Sequence, residues 1–138
     1  MINIRPCTKN DLEQCETIFN LPELSDTTGD KLSAKYLENF LDEKYFLVAE
    51  EENKILGAIY GEPLKTDGIM LWSVAVLSSY RGKGIGHSLL EAFEKNAIID
   101  NKKWIILHAP VDKEATINFY KKHNYVMGNN FTEFAKDL

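Results

Sequence analysis

A long apolar stretch runs directly into a glycine-rich turn, and this junction constrains the fold more than any other part of the sequence. Residues 68–77 are apolar at nearly every position, which is typical of a central strand covered on both faces. The turn 81–86 contains three glycines, and the apolar residues that follow it recur at helical spacing: Leu89, Leu90, Phe93 and Ala97. A buried strand followed by a helix predicts helices packed on a sheet, and it argues against a helical bundle or a β-sandwich.

The rest of the chain alternates in the same way between strand-like and helix-like segments. Strands are predicted at Ile2–Arg5, Tyr45–Glu50, Lys54–Tyr60, Trp104–Ala109, Tyr125–Met127 and Phe131–Lys136. Helices are predicted after Thr8, whose spacing to Asp11 resembles a capping box, after Asp30, and from Asp112 to about His123. The sequence therefore predicts one α/β (α+β) domain over residues 1–138, with a mixed sheet of about six or seven strands and about four helices.

Charge and hydropathy exclude several classes of function. The 138 residues carry 16 basic and 21 acidic side chains, a net charge of −5, and no clustered block of Lys or Arg, so we expect no nucleic-acid partner. The acidic excess lies in residues 1–69, which hold seven basic and 14 acidic side chains. No apolar stretch is long enough for a membrane helix and the start lacks a secretory signal, which predicts a cytoplasmic protein without a membrane partner.

The two cysteines suggest neither a metal site nor a disulfide framework. Cys7 and Cys15 lie near the N-terminus without a C-x-x-C pair or a paired histidine spacing. Buried, unreactive thiols are the simpler interpretation, and we expect no bound metal.

The glycine turn could bind a phosphate. The first amides of a helix have no partner within the helix, its dipole adds a partial positive charge, and glycines let an anion approach the backbone. Gly82, Gly84 and Gly86 supply the glycines, while Arg81 and Lys83 add positive charge. A dinucleotide fingerprint fails because residue 87 is histidine, and a P-loop fails because residue 77 is leucine. The alternative is that the glycines only make a tight turn.

The segment Val74–Gly86 resembles the acetyl-CoA-binding motif of the Gcn5-related N-acetyltransferase (GNAT) family. That motif, Arg/Gln-x-x-Gly-x-Gly/Ala, is matched by Arg81, Gly84 and Gly86. A second family motif, at a helix end, is approximated by residues 116–125, where Asn124 replaces the usual glycine. Asparagine tolerates the left-handed conformation that a helix-ending glycine supplies. The resemblance implies the family's fold and an acetyl-CoA-dependent N-acetyltransferase that needs no metal.

The resemblance also implies roles for individual residues. The backbone of Val74 and Val76 would bind the pantetheine arm, and the Val76 amide would polarise the thioester carbonyl. Asn118 would lie beside the thiol end and Tyr120 would be the acid that protonates the leaving thiolate. The amides from residue 81 to about 87 would hold the pyrophosphate, which assigns this role to Arg81, Gly82, Lys83, Gly84 and Gly86.

The general base stays open, because many relatives place a glutamate on the strand that here contains Trp72 and Ser73. Three alternatives are a water chain to Glu62 or Asp67, His108 on the predicted fifth strand, and amines that arrive already neutral. For His108 a histidine in the core or at its rim is the more usual interpretation, and for Trp72 core packing of the central strand is favoured over a wall of the acceptor pocket.

The acceptor could be a small-molecule amine or an amine of a protein. In the family the segment after the first helix lines the acceptor site, and here it carries Glu23, Asp26 and Asp30, which would attract a cation. The alternative is that this segment is only a solvated polar loop. An alternative function is a non-catalytic acyl-CoA-binding sensor, and another is a nucleotide-binding protein of a different fold. Unpaired strand edges add the hypothesis of a homodimer.

Overall fold

The computed structural model describes residues 1–22 and 32–138. Glu23, Asp26 and Asp30, predicted to line the acceptor site and to cap a helix, lie outside the described residues. The chain divides into two compact units, Met1–His108 and Ala109–Leu138, which are described in turn.

The first unit is built on a single sheet whose strand order follows the chain. Its strands are β1 Asn3–Pro6, β2 Phe46–Glu51, β3 Lys54–Pro63, β4 Gly68–Val76 and β5 Trp104–Ile106. Its helices are α1 Leu12–Phe19, α2 Ala34–Glu38 and α3 Ile85–Ile99. Neighbouring strands are antiparallel except for β4 and β5, which are parallel and are joined through α3. The mixed sheet with helices packed on it confirms the predicted fold class.

The sheet is covered on both faces, as the apolar run in β4 predicts. Ala58 and Tyr60 of β3 belong to the apolar core formed with α1 and α2. The alternate residue Gly57 points to the other face, where a Cβ would lie 3.2 Å from the side chains of Ile85 and Leu89 on α3. The core therefore consists of two layers separated by β2, β3 and β4.

The junction between β1 and α1 is fixed by side chains. The Asp11 carboxylate accepts a hydrogen bond from the Thr8 backbone N–H at 2.8 Å, which confirms the predicted capping box, although a 3₁₀ turn at Lys9–Asp11 precedes α1. The same carboxylate accepts two bonds from the Arg5 guanidinium, at 2.7 and 2.9 Å, and Arg5 also pairs with Glu50. The bonds from Arg5 lower the pKa of Asp11.

The second unit contains α4, Glu114–Lys122, followed by an extended segment. Lys113 rather than the predicted Asp112 is the N-cap residue, and Asn124 adopts φ +69° after the helix, the left-handed conformation expected of it.

The predicted strands Tyr125–Met127 and Phe131–Lys136 are wrong, and the described sheet has five strands instead of six or seven. Their aromatic and β-branched residues suit a strand, but a strand also needs a partner, and Val126, Met127, Phe131 and Phe134 are exposed. The described part of the chain has the four expected α-helices, none of them with the length and apolar character that crossing a membrane requires.

Candidate active site

The two halves of β4 have different neighbours. β5 pairs with Gly68–Met70 and extends no further, whereas β3 pairs along the whole strand as far as Val76. In the described part of the first unit, the edge of β4 at residues 74–76 therefore faces no other strand.

Backbone groups of Val74 and Val76 point toward this open edge. The Leu77 N–H donates to the Leu56 carbonyl at 2.8 Å, so Leu77 faces β3. Because backbone groups alternate along an extended strand, those of Val76, and of Val74 two residues earlier, face away from β3. The Arg81 side chain confirms this orientation, since its Nε donates to the Val76 carbonyl at 3.0 Å. The backbone groups of both predicted contact residues on β4 thus point away from β3, and the Val76 carbonyl is bonded to Arg81.

The glycines of the following turn are required by its backbone conformation. Gly82 has φ +76° and Gly84 has φ +83°, values that residues with a Cβ rarely adopt, and a Cβ at either position would meet nothing within 4 Å. Glycine at these two positions is therefore required by the backbone of the turn, whether the turn only joins β4 to α3 or also binds a phosphate. Both residues are exposed, so a ligand could reach their backbone.

The start of α3 has the features of an anion site. Gly84 is the N-cap residue and provides no side-chain cap, and the first intrahelical bond is the one from the Ser88 N–H to the Gly84 carbonyl at 3.0 Å. The amides of Ile85 and Gly86 lie ahead of that bond. Two cations lie close by, since the Nζ atoms of Lys83 and Lys54 are each 5.3 Å from the centre of the Tyr80 ring. These residues fit a pyrophosphate.

Trp72 marks an irregularity in β4. The pairing with β3 shifts register between Tyr60 and Gly61, which leaves Trp72 as an extra residue between Ser73 and Leu71. Its side chain is 46% exposed and its Nε1 donates to Glu62 Oε2 at 2.8 Å. The predicted core packing of Trp72 is wrong, because a bulge turns this ring out of the apolar layer.

The candidate proton acceptors occupy different environments. Glu62 lies on β3 beside Trp72 and is partly buried. Asp67 is exposed in the turn before β4, where its backbone carbonyl accepts from the Lys103 N–H at 2.7 Å. His108 is exposed two residues after β5, which is shorter than predicted, so of the two structural interpretations only a position at the rim of the core agrees with it. β4 itself bears no carboxylate, but Glu62 on the neighbouring strand β3 is bonded to Trp72 of β4.

The remaining predicted site residues lie in the second unit on α4. Asn118 is exposed, whereas Tyr120 is only 8% exposed and contacts the rings of Phe119 and Tyr125 edge-on, with centroids 5.2 and 5.4 Å away. Burial raises the pKa of Tyr120 above its ordinary value of about 10. Its hydroxyl is therefore protonated at neutral pH, as an acid must be.

Both cysteines are free and buried, as predicted. Their Sγ atoms are 3.9 Å apart, and the contact with Cys15, together with burial, raises the pKa of Cys7. Among the described residues no group of His, Cys, Asp and Glu side chains could hold a metal ion.

Comparison with known proteins identifies relatives of this arrangement. A family model for the acetyltransferase (GNAT) domain matches residues 42–127, which include β4, the glycine turn and all of α4. An acetyltransferase of Sodalis glossinidius is 32% identical over 97 residues, 70% of this chain and 68% of that protein. An L-2,4-diaminobutyric acid acetyltransferase of Vibrio parahaemolyticus is 26% identical over 129 residues, 82% of this chain and 71% of that protein.

A solved structure has the same fold. The PaiA N-acetyltransferase of Thermoplasma acidophilum, determined in complex with coenzyme A, superposes with a TM-score of 0.78 at 20% identity. The superposition covers 89% of this chain and 88% of that protein.

Proposed function

The chain belongs to the GNAT acetyltransferase family, and on that premise we propose that it transfers the acetyl group of acetyl-CoA to a primary amine. The observation that carries the proposal is the uncapped start of α3. Gly82 and Gly84 hold the preceding turn in a left-handed backbone conformation, which leaves the first amides of a long helix to an external anion.

The first unit would bind the donor through its backbone. The pyrophosphate would lie on the amides that follow Gly84, with Lys83 adding positive charge. The pantetheine arm would add to the open edge of β4, where the backbone groups of Val74 and Val76 point outward. The Arg81 side chain would fix the position of the end of β4, because its guanidinium donates a hydrogen bond to the Val76 carbonyl.

The reaction needs a neutral amine, a polarised carbonyl and a proton for the leaving group. Bound acetyl-CoA supplies the acetyl group as a thioester. In the exchange a C–N bond forms, the C–S bond breaks, and the amine loses a proton while the thiolate gains one. We assign Tyr120 as the acid that donates a proton to the leaving thiolate. The Val76 N–H would donate a hydrogen bond to the thioester carbonyl oxygen and so polarise it. The amine proton would leave through water, because β4 bears no carboxylate.

A small-molecule amine is the acceptor we favour over a protein amine. The matched relative from Vibrio parahaemolyticus is named for a diamino acid, and the first half of this chain is acidic, which attracts cations. An N-terminal or lysine amine of a protein is the second choice, and a homodimer remains part of the proposal to be tested by its mass in solution.

Thermal unfolding in the presence of ligands tests the donor site. A ligand that binds only the folded state raises stability by RT ln(1 + [L]/Kd). Protein shown to be free of carried-over cofactor should be stabilised by acetyl-CoA and CoA and not by NAD or ATP. No shift with either CoA compound would refute the donor site, and a shift with NAD or ATP alone would favour a nucleotide-binding protein.

Thiol release with a panel of amines and peptides separates an enzyme from a non-catalytic acyl-CoA sensor. A sensor would bind acetyl-CoA but release no thiol above hydrolysis. For an enzyme, Tyr120→Phe should lower kcat by about a hundredfold while changing the Kd of acetyl-CoA little, because only the donated proton is removed. Equal loss in both quantities would refute the acid role of Tyr120.

A further inference from the structure

Trp72 and Glu62 form an exposed pair of a ring and a carboxylate beside the proposed donor site. The indole N–H donates to Glu62 Oε2 at 2.8 Å, which fixes the carboxylate against the ring. The other oxygen, Oε1, has no hydrogen-bond partner among residues 1–22 and 32–138. A carboxylate and an aromatic face held together are the two protein groups that best bind an organic cation.

The register of the sheet places this pair on one definite face. Tyr60 of β3 packs against Phe40 and Phe19 on the side of α1 and α2, with ring centroids 5.2 and 5.1 Å away. Glu62, two residues further along β3, faces the same side, whereas the intervening Gly61 faces Phe93 of α3. Glu62 lies opposite Met70, at the point where the β5 pairing of β4 ends. The pair therefore lies on the face opposite α3, next to the open half of β4.

The charge requirement of the reaction determines what such a pair can bind. The attacking nitrogen must be neutral, and a carboxylate in contact with it would favour its protonated form. A fixed carboxylate on a ring suits a group that stays positively charged throughout. This group must belong to the same acceptor, at a short distance from the attacked amine.

We propose that Trp72 and Glu62 form a specificity subsite for a second, non-reacting ammonium group, so that the acceptor is a short diamine or diamino compound. The inference rests on the proposed acetyltransferase function. The ammonium would donate to Glu62 Oε1 while lying against the indole ring. The subsite would lower the KM of such acceptors and leave the chemical step unchanged.

A matched pair of acceptors tests this directly. At saturating acetyl-CoA, kcat and KM are measured for 1,4-diaminobutane and for n-butylamine, which differ by the second amine. We expect Glu62→Gln to lower kcat/KM for the diamine by about tenfold, mostly by raising KM. The same substitution should change kcat/KM for n-butylamine by less than about twofold. Trp72→Leu, which removes the ring, should likewise lower kcat/KM for the diamine and spare n-butylamine. Glu43→Gln, which changes an exposed carboxylate elsewhere, should alter kcat/KM for neither amine.

The outcomes separate this inference from the function on which it rests. An equal loss of kcat/KM for both amines would make Glu62 a base or a structural residue, and no loss for either amine would mean that the pair binds no cation; either result overturns the subsite. Unfolding temperatures of the variants within about 2 °C of the unmodified protein exclude misfolding, since both side chains are partly exposed. Absence of turnover together with absence of stabilisation by acetyl-CoA would instead overturn the acetyltransferase function itself.

Discussion

The first unit contains two junctions in which a strand passes through a 3₁₀ turn into a helix, at Lys9–Asp11 before α1 and at Ser78–Tyr80 ahead of the glycine turn and α3, and the two helix starts differ in how they are capped. Between β1 and α1, Thr8 and Asp11 bond to each other, and Arg5 clamps the Asp11 carboxylate. Between β4 and α3, the N-cap position is Gly84, which has no side chain to provide a cap. The first junction is held by bonds among the protein's own side chains and backbone, and the second has no side-chain cap, which is where we propose that the donor binds.

The difference shows how one local geometry serves either stability or binding. A capping carboxylate brings negative charge to the helix start and occupies amides that an anion would otherwise bind. A left-handed glycine places the amides without adding charge or bulk. The first junction should therefore respond to mutation mainly in stability, and the second mainly in ligand affinity.

Converting the second junction into a capped one should have the largest effect. Gly84→Asp should weaken acetyl-CoA binding by about a hundredfold, because the new carboxylate would face the pyrophosphate. Gly84→Asn has nearly the same shape without the charge, and asparagine tolerates φ +83°, so it should lose no more than about fivefold. Isothermal titration with acetyl-CoA measures both. Similar losses in the two variants would mean that no anion lies at this helix start.

Removing the Asp11 carboxylate, which Arg5 binds at the first junction, should lower the stability of the fold without changing its affinity for acetyl-CoA. Asp11→Asn should reduce the free energy of unfolding by about 2 kcal/mol, because it leaves the partly buried Arg5 without its bidentate partner. Urea denaturation measures the change. Glu51→Gln, which removes an exposed ion pair with the N-terminal amine, is the control and should change stability by no more than about 0.5 kcal/mol. A weakened affinity for acetyl-CoA in Asp11→Asn would contradict the division between the two junctions.

The stabilisation from Asp11 should depend on pH in one direction. Bonding to Arg5 lowers the pKa of this carboxyl in the folded state, so its contribution is complete above the unfolded pKa of about 3.9 and is lost as pH falls through the folded value. The difference in unfolding free energy between the unmodified protein and Asp11→Asn should be constant from about pH 6 to 8 and shrink below about pH 4. A difference that persists in acid would mean that the variant acts through packing rather than charge.

The charge beside the second junction should have the smallest effect. Lys83→Ala should weaken acetyl-CoA binding by about threefold at low salt and less at high salt, because an exposed charge is screened. Lys65→Ala removes an exposed lysine from the loop before β4 and should leave the affinity unchanged. A loss that does not depend on salt would show that Lys83 acts through its contact with Tyr80.

Local patterns predicted the two junctions because each is encoded within a few residues. The Thr8–Asp11 spacing and the glycines at 82 and 84 specify caps and backbone angles directly, and both features are present. The apolar stretch 68–77 predicted a strand with both faces covered, and β4 occupies nearly the same residues. The resemblance to the acetyl-CoA-binding motif likewise rests on residues close together in sequence, Val74–Gly86.

Features that depend on partners distant in sequence were not predictable. The aromatic and β-branched residues at 125–136 suit a strand, but the sequence does not say whether a sheet edge is available to them. The exposure of Trp72 depends on a register shift between β3 and β4, and its bond to Glu62 joins residues whose proximity depends on that register. Glu62 was therefore predicted only as one of several acids, without its neighbour.

The burial of both cysteines has a practical consequence for measuring the proposed reaction. The chain has only these two thiols, and neither is accessible in the folded state. A thiol-reactive dye added during turnover would therefore report coenzyme A released in solution with little signal from the protein. For the same reason, one cysteine introduced on the surface would provide a single attachment point for a fluorescent probe.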